Sequence, residues 1–383
     1  MQKDTHQGRS ARFSCVSQAT NNRLKKCNET KPKCGRCDRL NLTCEYKSIL
    51  AALKPDSSVS SAHSVSRSVS PMPPGRTGQQ PLCMLDLEIY HEFMFKYGDT
   101  MGVEPQSRDM LRSKLVDLAN THDYVLHNCL ALSALQIFHG DSTRTELWER
   151  ACYLQGIAIE QVQPTLINMT QDDAIPSLIF ASNTAAFSRC EYILNPHSYT
   201  DDMDPIDKII ESFQLSRGIS LVASKYWPFL KHSWINHNIP DIVDDMEEEM
   251  RQSLKSRFPV YSSVKSLALG LEDAQRRQVC VELIEKTFRY IAHLMSDGHK
   301  YPSLIYLVDA WSVTIPAEYR EMLEERRPVA LIILAYYAVM ISLASEVWHL
   351  EAWPTLLINR ITETLGKEWE EEFLRWPRKM ILK

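Results

Sequence analysis

The sequence predicts an all-α fold, with a large helical domain behind a small cysteine-rich N-terminal domain. From Leu85 onward, apolar residues recur every three to four positions, which is the period of one face of an α-helix. No stretch shows a convincing run of the alternating apolar and polar residues that half-buried strands have. Glycine is scarce, at 12 of 383 residues, which argues against glycine-turn-rich β barrels and glycine-loop nucleotide folds.

Charge is distributed unevenly along the chain. Residues 1–50 carry 11 Lys and Arg against 4 Asp and Glu, whereas residues 85–383 carry 29 against 43. A basic N-terminal segment followed by an acidic domain is expected when only the N-terminal end of a protein binds a polyanion such as nucleic acid.

Cysteine is also concentrated at the N-terminus, where five of the ten cysteines fall within the first 44 residues. No apolar signal stretch opens the chain, so we expect a reducing compartment, in which clustered cysteines indicate metal more than disulfides. Cys27, Cys34, Cys37 and Cys44 are spaced x6, x2 and x6. Four thiolates so placed can close a tetrahedron around one zinc ion.

Residues 48–84 are predicted to form a disordered linker, because Ser57–Ser70 contains eight serines and several prolines follow it. Beyond the linker, the apolar period predicts helices over 85–98, 107–119, 122–139, 143–167, 172–190, 203–224, 274–296, 317–325, 328–350 and 354–375. The apolar run Val329–Ala344 has 16 residues, fewer than the ~20 of a membrane span. We therefore predict a buried core helix and no membrane span.

The segment Arg23–Tyr46 resembles the second two-thirds of the fungal Zn2Cys6 binuclear-cluster DNA-binding domain. Cys27, Cys34, Cys37 and Cys44 match its third to sixth cysteines, and Pro32 lies in the turn between them. This resemblance implies zinc as the cofactor, double-stranded DNA as the partner and the nucleus as the location.

The resemblance breaks upstream, where the first two cysteines of the pattern are replaced by Ser17 and Thr20, and Cys15 is two residues out of place. In the family, six thiolates hold two zinc ions. Three explanations stay open: residues 8–22 derive from a mis-joined exon, the cluster has decayed, or the four remaining cysteines bind a single zinc ion.

Basic residues precede the third cysteine in the family and read a CGG-type triplet. Arg23, Lys25 and Lys26 occupy that stretch here. Arginine can bond guanine with two parallel hydrogen bonds, and lysine donates to the same acceptors less rigidly. We predict that these three residues contact bases and phosphates.

The helical body resembles the fungal-specific transcription-factor regulatory domain of sterol-uptake control regulators. The matching stretches are Leu85–Phe93, Val125–His139, Ser212–Val222, Arg326–Met340 and Trp348–Trp353. The resemblance implies an all-α domain, and some family members bind a hydrophobic ligand near the C-terminal helices. Trp348, His349 and Trp353 are therefore candidate pocket residues, with aromatic core packing as the alternative.

These observations divide the chain into a degenerate Zn2Cys6-like DNA-binding domain (1–47), the linker (48–84) and a helical regulatory domain (85–383). They predict a zinc-cluster regulator of RNA polymerase II transcription, acting on sterol, lipid or secondary-metabolite genes. Acidic residues lie between two aromatic ones in Trp369–Phe373, and Asp244, Asp245 and Glu247–Glu249 form a second acidic stretch. Acidic-aromatic mixtures are used to recruit transcription machinery, and a solvated helix face is the alternative role.

The alternative hypothesis is a DNA-independent, ligand-sensing or protein-interaction co-regulator with a decayed zinc head. No glycine-rich phosphate loop, nucleophile elbow or His-Glu-x-x-His motif is found, so we do not expect an enzyme. Ser48–Lys54 is too short for sustained heptads, and the oligomeric state stays open.

Overall fold

The computed structural model describes residues 83–100, 105–195, 204–235, 248–296, 305–344 and 347–382. All of them lie in one compact unit, Gln80–Lys383. Every regular element in these ranges is a helix and none is a strand, which confirms the all-α fold class. Two hydrophobic cores organise the unit.

The first core is built mainly by five helices. They are α1 (Met84–Thr100), α2 (Pro105–Thr121), α3 (Asp123–Gly140), α4 (Thr145–Ile167) and α5 (Ala174–Leu194). The other four pack around α3, which is apolar or small over most of its circumference. Asp86 accepts a hydrogen bond from the Cys83 N–H (3.2 Å), as in a capping box, and pairs with Arg150 of α4 (2.6 Å). These contacts fix the start of α1.

Helix α6 (Pro205–Leu230) joins the two cores. Ile206 and Phe213, in its first half, pack in the second core, whereas Val222 and Leu230 pack in the first. The helix bends at Tyr226, two residues before Pro228. Proline lacks an N–H and its ring crowds the preceding turn, which explains the bend.

The second core is built by the start of α6 and the elements that follow it. They are α7 (Glu248–Arg257), α8 (Val260–Leu269), α9 (Ala274–Leu294), α10 (Ile305–Val313), α11 (Ala317–Glu324), α12 (Pro328–Leu343), a 3-10 turn (Trp348–Leu350), α13 (Trp353–Leu365), α14 (Lys367–Trp369), a π-helical turn (Glu370–Leu374) and α15 (Arg375–Ile381). Helix α12 is the centre of this core, because every residue from Val329 to Ile341 is buried. The Tyr336 hydroxyl, on α12, donates to the Phe373 carbonyl (3.0 Å).

The burial of α12 accounts for the longest apolar run in the chain. Within the described ranges, no single helix has both the length and the apolarity to cross a membrane. Helices α11 and α12 reach that threshold only as a pair, and the pair is bent by 105°.

Several predicted boundaries differ from the structure. The predicted helix over 328–350 ends at Leu343, and Trp348–Leu350 forms a separate 3-10 turn. The predicted helix over 354–375 breaks at Gly366, whose φ of 82° and ψ of 175° are accessible essentially to glycine alone. Helices α7, α8 and α10 are not predicted from the sequence at all.

Asp204 ties three elements of the second core together. One carboxylate oxygen caps α6 by accepting from the Ile206 N–H (2.9 Å). The other accepts from Arg360 of α13 at 3.0 Å and lies 3.4 Å from Arg326, the residue with positive φ (56°) between α11 and α12. Burial alone raises the pKa of Asp204, but hydrogen bonds from Arg360 and Ile206, with the charges of both arginines, outweigh burial and hold it below its usual value.

We expect Asp204→Ala to lower the free energy of unfolding by about 2 kcal/mol. The variant loses the N-terminal cap of α6 and the charged hydrogen bonds from the partly exposed Arg360. Asp204→Asn should lower it less, because asparagine still caps the helix. Since the pKa of Asp204 is depressed on folding, its stabilisation is complete above the unfolded value of ~4 and is lost as pH falls through the folded value. The difference between wild type and Asp204→Asn should therefore shrink below about pH 4.

Urea unfolding followed by circular dichroism at a series of pH values checks this prediction. Asp207→Ala is the matched control. The Asp207 side chain is 64% exposed and, of the two arginines that Asp204 contacts, it pairs with Arg326. An equal effect of both alanine variants would contradict the role assigned to Asp204.

Candidate functional site

The predicted zinc ligands, Cys27, Cys34, Cys37 and Cys44, and the predicted DNA contacts, Arg23, Lys25 and Lys26, lie outside the described residues. Of the cysteines that the structure describes, Cys129, Cys190 and Cys280 are buried. Burial raises the pKa of each of these three thiols to about 12, so they are protonated at neutral pH. In the described part of the chain, no three His, Cys, Asp or Glu side chains are grouped to hold a metal ion.

A cavity of about 240 Å³ lies where the ends of α3 and α5 meet the 3-10 turn. Helices α3 and α5 contribute His139, Cys190, Ile193 and Leu194 to its wall. The turn and the residues after it contribute Trp348, His349, Glu351 and Ala352. Trp348 packs against the first core and Leu350 belongs to the second, so the cavity lies at the junction of the two cores.

Burial differs sharply around the cavity. His139 and Glu351 are exposed, whereas Cys190 and His349 are only 1% and 8% exposed. The His139 ring stacks on Trp348, with centroids 5.2 Å apart, and the His349 ring meets Trp348 edge-on at 5.6 Å. The cavity therefore has a polar rim, largely apolar walls and a buried histidine.

Hydrogen bonds to neighbouring helices hold α5 in place along the cavity. The Tyr97 hydroxyl of α1 donates to the Asn183 side chain in the middle of α5 (2.7 Å). At its end, the buried Arg189 donates to the Ser212 hydroxyl of α6 (3.0 Å) and lies 3.9 Å from Asp309 of α10. The turn of α5 that carries Arg189 and Cys190 is thus fixed to α6 and α10.

His349 carries a buried polar atom with no partner. Its Nδ1 makes no hydrogen bond with the described residues, and neither does the buried Nε1 of Trp348. Burial, reinforced by the nearby charge of Arg189, lowers the pKa of His349 to about 3. The imidazole is therefore neutral at physiological pH, and its Nδ1 is buried without a hydrogen-bond partner among the described residues.

Two of the three pocket candidates from the sequence line this cavity, namely Trp348 and His349. The third, Trp353, is fully buried in the second core, where its ring lies 5.3 Å from Tyr192. The lining residues from α3 and α5 were not singled out from the sequence. Helical periodicity places them at the ends of their helices but does not indicate that these ends approach Trp348.

The acidic segment near the C-terminus is less accessible than its composition suggests. Phe373 is buried in the second core and Trp369 is partly buried against it, so the exposed part consists of Glu371 and Glu372. The aromatic side chains of this segment are therefore used in packing.

Comparison with protein families finds a match to the fungal Zn(2)-Cys(6) binuclear cluster domain over residues 22–51. The matched segment begins after Ser17 and Thr20 and contains all four cysteines with the x6, x2, x6 spacing. The match identifies zinc as the cofactor and supports DNA binding by this end of the chain. No curated protein matches the chain significantly.

Proposed function

We propose that this chain is a zinc-dependent, sequence-specific DNA-binding regulator of RNA polymerase II transcription that acts in the nucleus. The match of residues 22–51 to the zinc-cluster family carries the proposal and favours it over a DNA-independent co-regulator. That family is a class of transcription factors and not of enzymes. We further propose sterol, lipid or secondary-metabolite genes as targets, on the resemblance of the helical body alone.

Four thiolates are a donor set that fits zinc. Cys27, Cys34, Cys37 and Cys44 would hold the ion, since soft thiolate ligands in a tetrahedral set are typical of structural zinc. Zinc in such a site organises the fold of the segment and takes part in no reaction. What the chain itself supplies is the basic surface around the metal.

DNA contact is assigned to the basic residues before Cys27. Arg23 would bond guanine edges in the major groove, and Lys25 and Lys26 would contact bases and phosphates. Residues 85–383 carry 43 Asp and Glu against 29 Lys and Arg, so this helical domain repels the DNA backbone. DNA binding is thereby confined to the N-terminal segment, and the helical domain remains free to contact the transcription machinery.

One feature of the helical domain supports regulation of the protein by a bound ligand. The cavity beside Trp348 and His349 combines apolar walls with an unpaired buried polar atom. We propose that a small molecule bound there regulates the DNA-bound protein. Trp353 would support this site through packing, because it directly follows the lining residue Ala352 and is fully buried in the second core.

Arg23→Ala is expected to weaken binding of the full chain to a duplex with a CGG triplet by about 5- to 150-fold, since a bidentate arginine–guanine contact contributes ~1–3 kcal/mol. Binding to a scrambled duplex should change much less. Lys33→Ala, by contrast, should weaken binding to both duplexes alike if it contacts phosphate.

Fluorescence anisotropy at several salt concentrations measures these affinities. Arg76→Ala, in the linker, is the matched control and should leave the preference for CGG unchanged. Equal loss of affinity for both duplexes in Arg23→Ala would remove the base-reading role from Arg23.

A further inference from the structure

We infer that the solvent-exposed side of α1 is the surface through which two copies of this chain associate, with their α1 helices antiparallel and related by a two-fold axis at His91. We call this surface the outer face of α1, and it is defined by Met84, Leu87, His91 and Phe95. All four side chains are exposed. The inference concerns assembly and goes beyond the proposed function.

Helix α1 is apolar on two opposite sides. Ile89 and Phe93 are 0% and 2% exposed and pack in the first core. On the outer face, Met84, Leu87 and Phe95 are 79%, 51% and 59% exposed. These three and His91 are spaced three, four and four residues apart, so they lie along one side of the helix. A helix of a monomer usually has charged or polar residues opposite its core side, so a second apolar side indicates a contact with another protein surface.

The outer face is also rich in aromatic side chains. The His91 ring lies against the Phe95 ring, with centroids 4.7 Å apart. Next to α1, the exposed Tyr153 of α4 lies under the guanidinium of Arg150, 4.9 Å from the ring centroid. The same guanidinium bonds to Asp86 of α1 (2.6 Å), so Tyr153 borders α1. Tyrosine, phenylalanine and methionine are enriched in protein interfaces, which supports this assignment.

The charges beside the outer face are already paired within the chain. Three ion pairs at 2.6, 2.6 and 3.0 Å border it, namely Asp86–Arg150, Glu88–Arg144 and Glu92–Lys96. Covering an unpaired charge is costly, whereas these pairs keep their partners when the face is covered. The face therefore suits an apolar partner surface better than a charged one, and a second copy of the same face is such a surface.

The order of charges along α1 favours an antiparallel pair. Asp86 and Glu88 lie in the N-terminal half of the face, and Lys96 lies at its C-terminal end. Antiparallel helices bring these opposite charges near each other across the interface, whereas parallel helices in register bring like charges together. With the two-fold axis at His91, Leu87 lies opposite Phe95 of the second copy, and the symmetry repeats this apolar pair.

The size of the face sets the expected strength of association. From Met84 to Phe95 the face extends about 17 Å along the helix axis. A standard interface uses ~20–30 residues from each partner, more than one helix face and its border supply. We therefore expect a reversible equilibrium between monomer and dimer.

Sedimentation velocity of the full chain, over a concentration series up to roughly 100 μM, tests the inference. We expect the average mass of the wild type to rise towards that of a dimer. Leu87→Glu and Phe95→Lys should each raise the dimer dissociation constant by at least about 100-fold, because the symmetry repeats each change on both sides. The double variant Leu87→Glu/Phe95→Lys should return to within about 10-fold of the wild type, because each glutamate then lies opposite a lysine.

Leu221→Glu is the matched control, because Leu221 is 65% exposed on α6 and the substitution adds the same charge outside the outer face. It should associate like the wild type, and circular dichroism verifies that each variant folds. A wild type that stays monomeric at every concentration would overturn the inference and leave the face to a different protein. Unchanged association of Leu87→Glu would overturn it as well. A double variant no better than the single ones would overturn the antiparallel arrangement.

This measurement is independent of the proposed function. Association is followed without DNA or a small molecule, whereas the DNA-binding function is measured with the CGG duplex. A monomeric protein that binds the CGG duplex would overturn only the inference, and a dimer without CGG preference would overturn only the DNA-binding function.

Discussion

Cys34→Ser is expected to abolish zinc binding by the N-terminal segment and specific DNA binding by the full chain. A structural zinc site contributes roughly 10–16 kcal/mol to the folding of its segment, and a serine hydroxyl does not replace a thiolate ligand. Affinity for a CGG duplex should fall to that of nonspecific binding, with a Kd of roughly 10⁻⁴–10⁻⁶ M at physiological salt. The thermal unfolding of the helical body should not change.

Zinc analysis of the purified protein and anisotropy with the duplex check this result. Cys15→Ser is the matched control, because Cys15 lies outside the segment that matches the zinc-cluster family. The zinc-to-protein ratio of the wild type is recorded alongside, since this segment holds four thiolates where the family has six. Retention of zinc and of CGG preference in Cys34→Ser would contradict the ligand role.

Trp311→Ala is expected to lower the free energy of unfolding of the helical body by about 3–5 kcal/mol, as for other large aromatic residues in cores. Trp311 on α10 is fully buried, and its ring stacks on Tyr337 of α12 with centroids 4.2 Å apart. Its Nε1 donates to the Thr287 hydroxyl of α9 (2.8 Å). The variant therefore loses packing and a buried hydrogen bond where three helices meet.

Urea unfolding followed by circular dichroism measures the change. Trp227→Ala is the matched control, because Trp227 is 46% exposed at the end of α6 and its removal should have an effect of under about 1 kcal/mol. Trp311→Phe should lower the free energy of unfolding by an amount between those of the two alanine variants, since phenylalanine retains an aromatic ring but lacks the N–H. A change in Trp311→Ala as small as that in Trp227→Ala would show that α10 is not part of the cooperative core.

Helix α10 also marks the limit of prediction from sequence. Its residues form a nearly continuous apolar run that includes β-branched side chains. Apolar residues do not recur at the helical period in this run, so the sequence does not distinguish a helix from a buried strand. Helix α7 has only Met250 and Leu254 as apolar residues, and α8 mixes serines with β-branched residues. These segments form helices because they pack against α9 and its neighbours. Such tertiary contacts cannot be predicted from the helix propensity of the local sequence.

By itself, the sequence determined the all-α class, most of the long helices and the central role of Val329–Ala344. Strong apolar periodicity, or apolarity all round a helix, leaves few alternatives for such segments. It also predicts zinc ligands and DNA contacts between Arg23 and Cys44, because the spacing of metal ligands is a local property of the chain.

Only the tertiary structure decided where helices end and which ends meet. The break at Gly366 and the separate turn at Trp348 arise from backbone geometry and packing. The cavity combines His139 and Cys190 with His349, residues that come from three elements distant in sequence. No pattern along the chain encodes that contact, since it follows from how two cores pack against each other, and this packing leaves the Nδ1 of His349 buried and unpaired.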